Sequence, residues 1–108
     1  MNKSDKQVDN VAMFENACKQ MSNLYYKKNE DYGDSFSKSF KEYGLTMSCI
    51  RLEDKLNRLK AFNKNGGKIE VKSESIRDTL IDLANYAVMT IIEIDKMEKV
   101  EEKKNENN

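Results

Sequence analysis

No proline occurs anywhere in this chain and only four glycines do, so nothing forces the backbone out of a helix over long stretches. Helical periodicity fills those stretches. Val8, Val11, Phe14, Cys18, Met21 and Tyr25 recur at three- and four-residue steps, which predicts a first long helix from Val8 to about Lys28 with one core-facing stripe. After the polar turn "NEDYGDSF", a segment with Phe36, Phe40 and Tyr43 reads as one or two helical turns stopped by Gly44. Cys49, Leu52, Leu56 and Leu59 set a second long helix from Thr46 to Phe62, closed by "NKNGG" and a short "KIEV" that can extend. Ser73 or Ser75 caps a third long helix running to about Lys99. The expected fold is all-α: a small antiparallel helical domain of three long helices and a short one. It covers residues 1–98, and the closing "EKKNENN" is too polar to pack, leaving 99–108 as a disordered tail.

Length and charge narrow the possible roles. At 108 residues the chain makes one domain with a small core that a partner subunit easily enlarges. Its 19 basic and 19 acidic residues cancel, so there is no strong sign of nucleic-acid binding. No apolar run marks export or a membrane span, and the expected location is the cytoplasm. Cys18 and Cys49 lie in apolar stripes, where a thiol behaves as a small hydrophobe. The absence of histidine leaves any chemistry to carboxylates, amines, hydroxyls and a hard metal ion.

The third helix carries the pattern that needs explaining. At about 100° per residue, Ile76, Leu80, Leu83, Ala87, Ile91 and Ile94 share one face, which is the expected core face. Ile81, Val88 and Ile92 widen the apolar surface to the side. Asp78, Asp82, Asn85 and Met89 then line up on the remaining strip, with Tyr86 at its border. An unpaired carboxylate among packed helices is costly, so this strip must meet cations, a metal or a water-filled cleft.

The second helix offers the counterpart. Asp54 lies opposite the leucine stripe on a weaker apolar face with Met47, Ile50 and Ala61. Arg51 and Arg58 flank it, Lys55 borders the leucines, and Glu53 lies towards their other edge. The two helices can therefore gather Asp54, Asp78 and Asp82, with Glu53 or Glu74, around a cavity edged by Arg51, Lys55 and Arg58. Such a set suits a magnesium- or manganese-bound phosphate chain. A plainer alternative stays open: Asp54 pairs along its own helix with Arg51 and Arg58, and Asp78 completes a capping box with Ser75. In the loop, Gly33 can take a positive φ that turns Asp31 and Asp34 to a common point with Tyr32 exposed between them. Tyr32 can then stack on a base, worth about 1–3 kcal/mol, while Asp34 or Lys28 meets sugar or phosphate. The same residues also make an ordinary turn.

Three blocks, "KNEDYGDSF", "RLEDKLNRL" and "ESIRDTLIDLANYAVM", resemble the phage-associated nucleotide-modification-associated domain family over residues 27 to 89. That family is similar in helical layout to the MazG-like all-α nucleoside triphosphate pyrophosphohydrolases. Those enzymes hold magnesium with Glu and Asp on two adjacent helices and split triphosphates into monophosphate and pyrophosphate. The resemblance implies metal ligands among Glu53, Asp54, Asp78 and Asp82, of which Asp54, Asp78 and Asp82 would be catalytic. Lys28, Asp31, Tyr32, Asp34, Arg51, Lys55, Arg58, Asn85 and Tyr86 would contact a nucleotide. The motifs are not complete: Asn57 stands where MazG has a third carboxylate on the first metal helix, and Thr79 where it has the first acid of Glu-x-x-Asp. The expected partner is therefore a small-molecule nucleotide, either hydrolysed or held without hydrolysis as a cyclic-nucleotide sponge would hold it. A helical interaction module is the remaining alternative. The apolar surplus on the second and third helices points to a homodimer or homotetramer.

Overall fold

Asp9 begins the first helix by accepting a hydrogen bond at Oδ1 from the Ala12 amide at 3.1 Å, which satisfies one of the donors every helix start leaves open. The computed structural model describes residues 8–29, 34–65 and 74–106. Four α-helices follow one another: α1 (Asn10–Lys27), α2 (Ser35–Tyr43), α3 (Leu45–Phe62) and α4 (Glu74–Glu106). A single 3₁₀ turn, Asn63–Asn65, extends α3, and there is no strand among the described residues. The short "KIEV" segment and the cap residue Ser73 lie outside them. No described helix is long and apolar enough to cross a membrane.

Gly44 makes the sharp corner between α2 and α3. Its amide donates to the Phe40 carbonyl at 2.7 Å, and its own carbonyl accepts from Met47 N at 3.1 Å. Its backbone sits at φ +68° and ψ −154°, a region that side-chain-bearing residues rarely enter. The corner returns α3 beside α2, and α4 then packs against both. The core that results is small: Phe36, Phe40, Met47 and Met89 are buried, with Leu24, Tyr25 and Tyr86 packed around them. Phe36 and Phe40, one turn apart, stack with ring centroids 6.4 Å apart.

The buried side of α4 is a correction to the sequence reading. Thr79, Asn85, Met89, Thr90 and Glu93 are buried, so the strip that looked anomalous faces inwards. Of the expected core face, Leu80, Ala87, Ile91 and Ile94 are exposed and only Ile76 and Leu83 are partly covered. The two aromatic rings of α2 and the inner face of α3 cover the polar side, and no further helix among the described residues covers the other side. The same shortage leaves Val11, Phe14 and Cys18 of α1 and Cys49 and Leu56 of α3 exposed, while Met47 from the weaker α3 face is buried. Both thiols are free and at the surface, not in a core.

Burying polar groups requires partners for them. Ser48 and Thr90 share a hydroxyl hydrogen bond of 2.9 Å between α3 and α4. Thr90 Oγ1 also lies 2.8 Å from the Tyr86 carbonyl, and Thr79 Oγ1 donates to the Ser75 carbonyl at 2.7 Å. Asn85 Nδ2 reaches the Met21 carbonyl of α1 at 3.3 Å, and Arg77 donates to Gln20. Among the described residues no buried side-chain nitrogen or oxygen lacks a partner. Beyond the core, α4 continues to Glu106, past the expected end near Lys99. Opposite charges three residues apart, Lys99 with Glu102 and Glu101 with Lys104, suit that exposed extension, and Lys103 and Lys104 in its last turn suit the helix dipole.

The Gly44 corner yields a direct test. Gly44→Ala would meet no atom within 4 Å, so its cost is backbone strain alone, expected at about 1–3 kcal/mol in urea unfolding. Lys38→Ala, on the exposed side of α2, is expected to stay within about 0.5 kcal/mol of the parent.

Candidate functional site

Residues one turn apart on α3 and on α4 meet across the α3–α4 contact. Lys55 Nζ lies 3.5 Å from Asp82 Oδ2, and both side chains keep about a quarter of their surface in solvent, 26% and 22%. One turn further along α4, the Tyr86 hydroxyl feels Asp82 and two more of the expected charges. Burial pushes its pKa above the ordinary 10.0; Arg51 pulls it back, while Asp82 and Asp54 push it further up. Arg51, Asp54, Lys55, Asp82 and Tyr86 thus converge on one half-covered patch. Helical repeat explains the gathering: residues 51, 54, 55 and 58 share one side of α3, and residues 82 and 86 share one side of α4. Arg58 continues the row into solvent.

Other expected members stand apart from this patch. Glu53 is exposed on a different side of α3, and Asp78 is exposed one turn before Asp82. Asn85 ties α4 to the Met21 carbonyl of α1. Among the described residues, no three acids or cysteines are grouped so that they could hold a metal ion by themselves. Asp31 and Tyr32 lie outside the described residues. Lys28 follows α1, its amide closing that helix on the Leu24 carbonyl at 3.0 Å.

Asp34 leads to a second group that sequence reasoning missed. It lines a small polar recess of about 120 Å³ with Tyr25, Phe36, Ser37, Glu93 and Lys96. Glu93, only 5% exposed, accepts hydrogen bonds from Ser37 Oγ at 2.9 Å and Lys96 Nζ at 3.0 Å. A signal for Glu93 existed. The strip of Asp78, Asp82, Asn85 and Met89 continues one turn further to residue 93. The recess and the Lys55–Asp82 patch are linked by one aromatic contact, since the Phe36 ring lies 5.9 Å from that of Tyr86. A larger groove lies elsewhere, towards the C-terminal half of α4, and is walled by Phe40, Leu45, Ile94, Met97 and Val100 with a volume of about 750 Å³.

The Lys55–Asp82 patch and most of the recess, apart from Tyr25 and Lys96, fall inside one homologous span. The family model for nucleotide modification associated domain 1 matches residues 28–94, well over half of the chain. The chain belongs to that family. A comparison with curated proteins and one with solved structures each returns no significant match. In this nucleotide modification associated domain, the matched span runs from Lys28, before the recess, through Arg51, Asp54 and Lys55 to Asp82, Tyr86 and Glu93. It leaves out all of α1 and the long C-terminal extension of α4.

The raised pKa of Tyr86 has a consequence for stability. A proton held more tightly in the folded state stabilises the fold fully below the unfolded value of 10.0, and that contribution is lost as pH rises through the folded value. The parent is therefore expected to lose stability more steeply than Tyr86→Phe above pH 10.0 in thermal melts. Equal slopes would show that Tyr86 titrates as it does in the unfolded chain.

Proposed function

We propose that this domain binds a magnesium- or manganese-loaded nucleoside triphosphate across the α3–α4 patch and hydrolyses it in the MazG manner to monophosphate and pyrophosphate. The observation that carries the reading is the convergence of Arg51, Lys55, Asp54 and Asp82 on Tyr86, inside a family span whose description refers to nucleotides. Arg51, Lys55 and Arg58 form a cationic row fit for a phosphate chain. The Tyr86 phenol is protonated at neutral pH, as burial only raises its pKa above the ordinary 10.0, so it can serve as a hydrogen-bond donor. The recess by Asp34 and Glu93 would take the sugar or base end, and Lys28, Asp31 and Tyr32 remain candidate contacts for the nucleotide.

The donor set fits a hard ion in a particular way. Magnesium keeps several waters and takes one or two protein carboxylates, the nucleotide's phosphates supplying the rest. Asp54 and Asp82 satisfy that need without a preformed three-acid cluster, with Asp78 and Glu53 as the remaining candidates. Bound there, the ion would neutralise phosphate charge and make water more acidic. Lys55 would exchange Asp82 for a phosphate oxygen, freeing the carboxylate. Arg51 and Arg58 would stabilise charge on the leaving pyrophosphate.

One observation favours a second reading. Asp82 is already paired with a cation, as it would be in a pocket that sequesters a nucleotide without splitting it. Chelator separates the two readings, since a sequestering pocket works without a divalent ion and the hydrolase does not. Canonical and modified nucleoside triphosphates and cyclic nucleotides, incubated with magnesium and with chelator, should therefore be resolved by chromatography, with binding measured by calorimetry. Turnover in magnesium supports the first reading, binding in chelator without products supports the second, and no binding to any of them removes both.

Asp82→Asn tests the patch itself. The Lys55–Asp82 pair is partly solvated, so losing it should cost under about 1 kcal/mol and shift Tm by only a few degrees. Magnesium-dependent nucleotide binding or turnover should fall at least about tenfold, a loss of about 1.4 kcal/mol. A variant that retains the full magnesium response would remove Asp82 from the site.

A further inference from the structure

We propose that two copies of this chain pair through the outer face of α4, crossing antiparallel at Ala87. This surface is distinct from the nucleotide patch and does not depend on how that patch works. The chain exposes 9155 Å², whereas a monomer of 12.6 kDa exposes about 6,200 Å² by the usual scaling of area with mass. The surplus is about 3,000 Å², and a stable dimer needs about 800 Å² from each partner. The radius of gyration agrees: 18.2 Å against about 13 Å for a compact domain of this length. A single copy is an open assembly with a face left over.

The sequence of that face says what covers it. Leu80, Ile91 and Ile94 are 44%, 56% and 40% exposed, Ala87 is exposed between them, and Leu83 is partly covered. Counted outwards from Ala87, Leu83 and Ile91 stand four residues away on either side, and Leu80 and Ile94 stand seven away. A two-fold axis through Ala87 therefore sets Leu80 against the second copy's Ile94 and Leu83 against its Ile91. Such self-complementarity is what an isologous interface requires, and a small residue at the crossing lets two helices approach closely. Ile94 also forms part of the wall of the 750 Å³ groove, so the N-terminal half of the second α4 meets a concave surface there. The polar strip lies on the opposite side of α4, leaving each copy with its own Lys55–Asp82 patch.

Light scattering and sedimentation at micromolar concentration test the pairing, with circular dichroism confirming that helix is retained. The parent should have at least twice the chain mass. Leu80→Lys and Ile94→Lys should each reduce it to one copy, because each sets an unpaired charge against an apolar residue of the other copy. Combining Leu80→Lys with Ile94→Glu should restore the pair; combining Leu80→Lys with Ile94→Lys should not. Positions 80 and 94 are about 21 Å apart along one helix, so a rescuing ion pair can form only between copies. A monomeric parent, or an assembly that both single variants leave intact, overturns the proposal. Dissociation by the single variants without rescue by the Lys–Glu combination overturns the antiparallel crossing.

Discussion

The inward-facing polar side of α4 is the constraint on which the rest of this structure depends. Thr90 shares a hydrogen bond with Ser48, Glu93 accepts from Ser37, Asn85 donates to the Met21 carbonyl, and Asp82 pairs with Lys55. Each bond joins α4 to a different place on α1, α2 or α3. An apolar core tolerates small slides between helices, but a slide here would leave buried polar groups unpaired at a cost of about 1–3 kcal/mol each. With only four buried apolar side chains among the described residues, register in this domain is held by polar contacts as much as by packing.

That register creates the candidate site. Because the strip of α4 faces α3, its carboxylate meets the Arg51, Lys55, Arg58 side of that helix, and Tyr86 sits where their charges overlap. Opposite charges largely cancel within the patch, as they do over the whole chain. Phe36 connects the patch to the recess at Glu93. The two regions share one aromatic wall, so a ligand spanning both would bury its middle against rings and its ends against polar groups.

The same choice of face explains the unusual surface. Turning the polar side inwards turns the aliphatic side outwards, and no other helix among the described residues covers it. Leu80, Ile91 and Ile94 on α4, with Val11 and Phe14 on α1, would be poor surface residues for a permanent monomer. A small domain can thus keep a hydrogen-bonded interior around its site and draw its missing hydrophobic stabilisation from a second copy.

Much of the secondary structure was legible in the residues. Gly44 and the absence of proline act through local backbone geometry, so α1 and α3 begin and end within about two residues of their expected bounds, ordinary scatter for such assignments. The pairing of Asp82 with a cation of the preceding long helix was legible too, because Asp82 inside an apolar helix has no local partner and must find a distant one. Glu93 escaped notice because its strip was followed only as far as Met89, although the same spacing reaches it. The sequence by itself determined which residues share each side of each helix, since helical repeat is a property of the backbone. Only the tertiary structure decided which side of α4 is the inside: burial depends on where α2 and α3 dock, and no periodicity within α4 records the position of its neighbours.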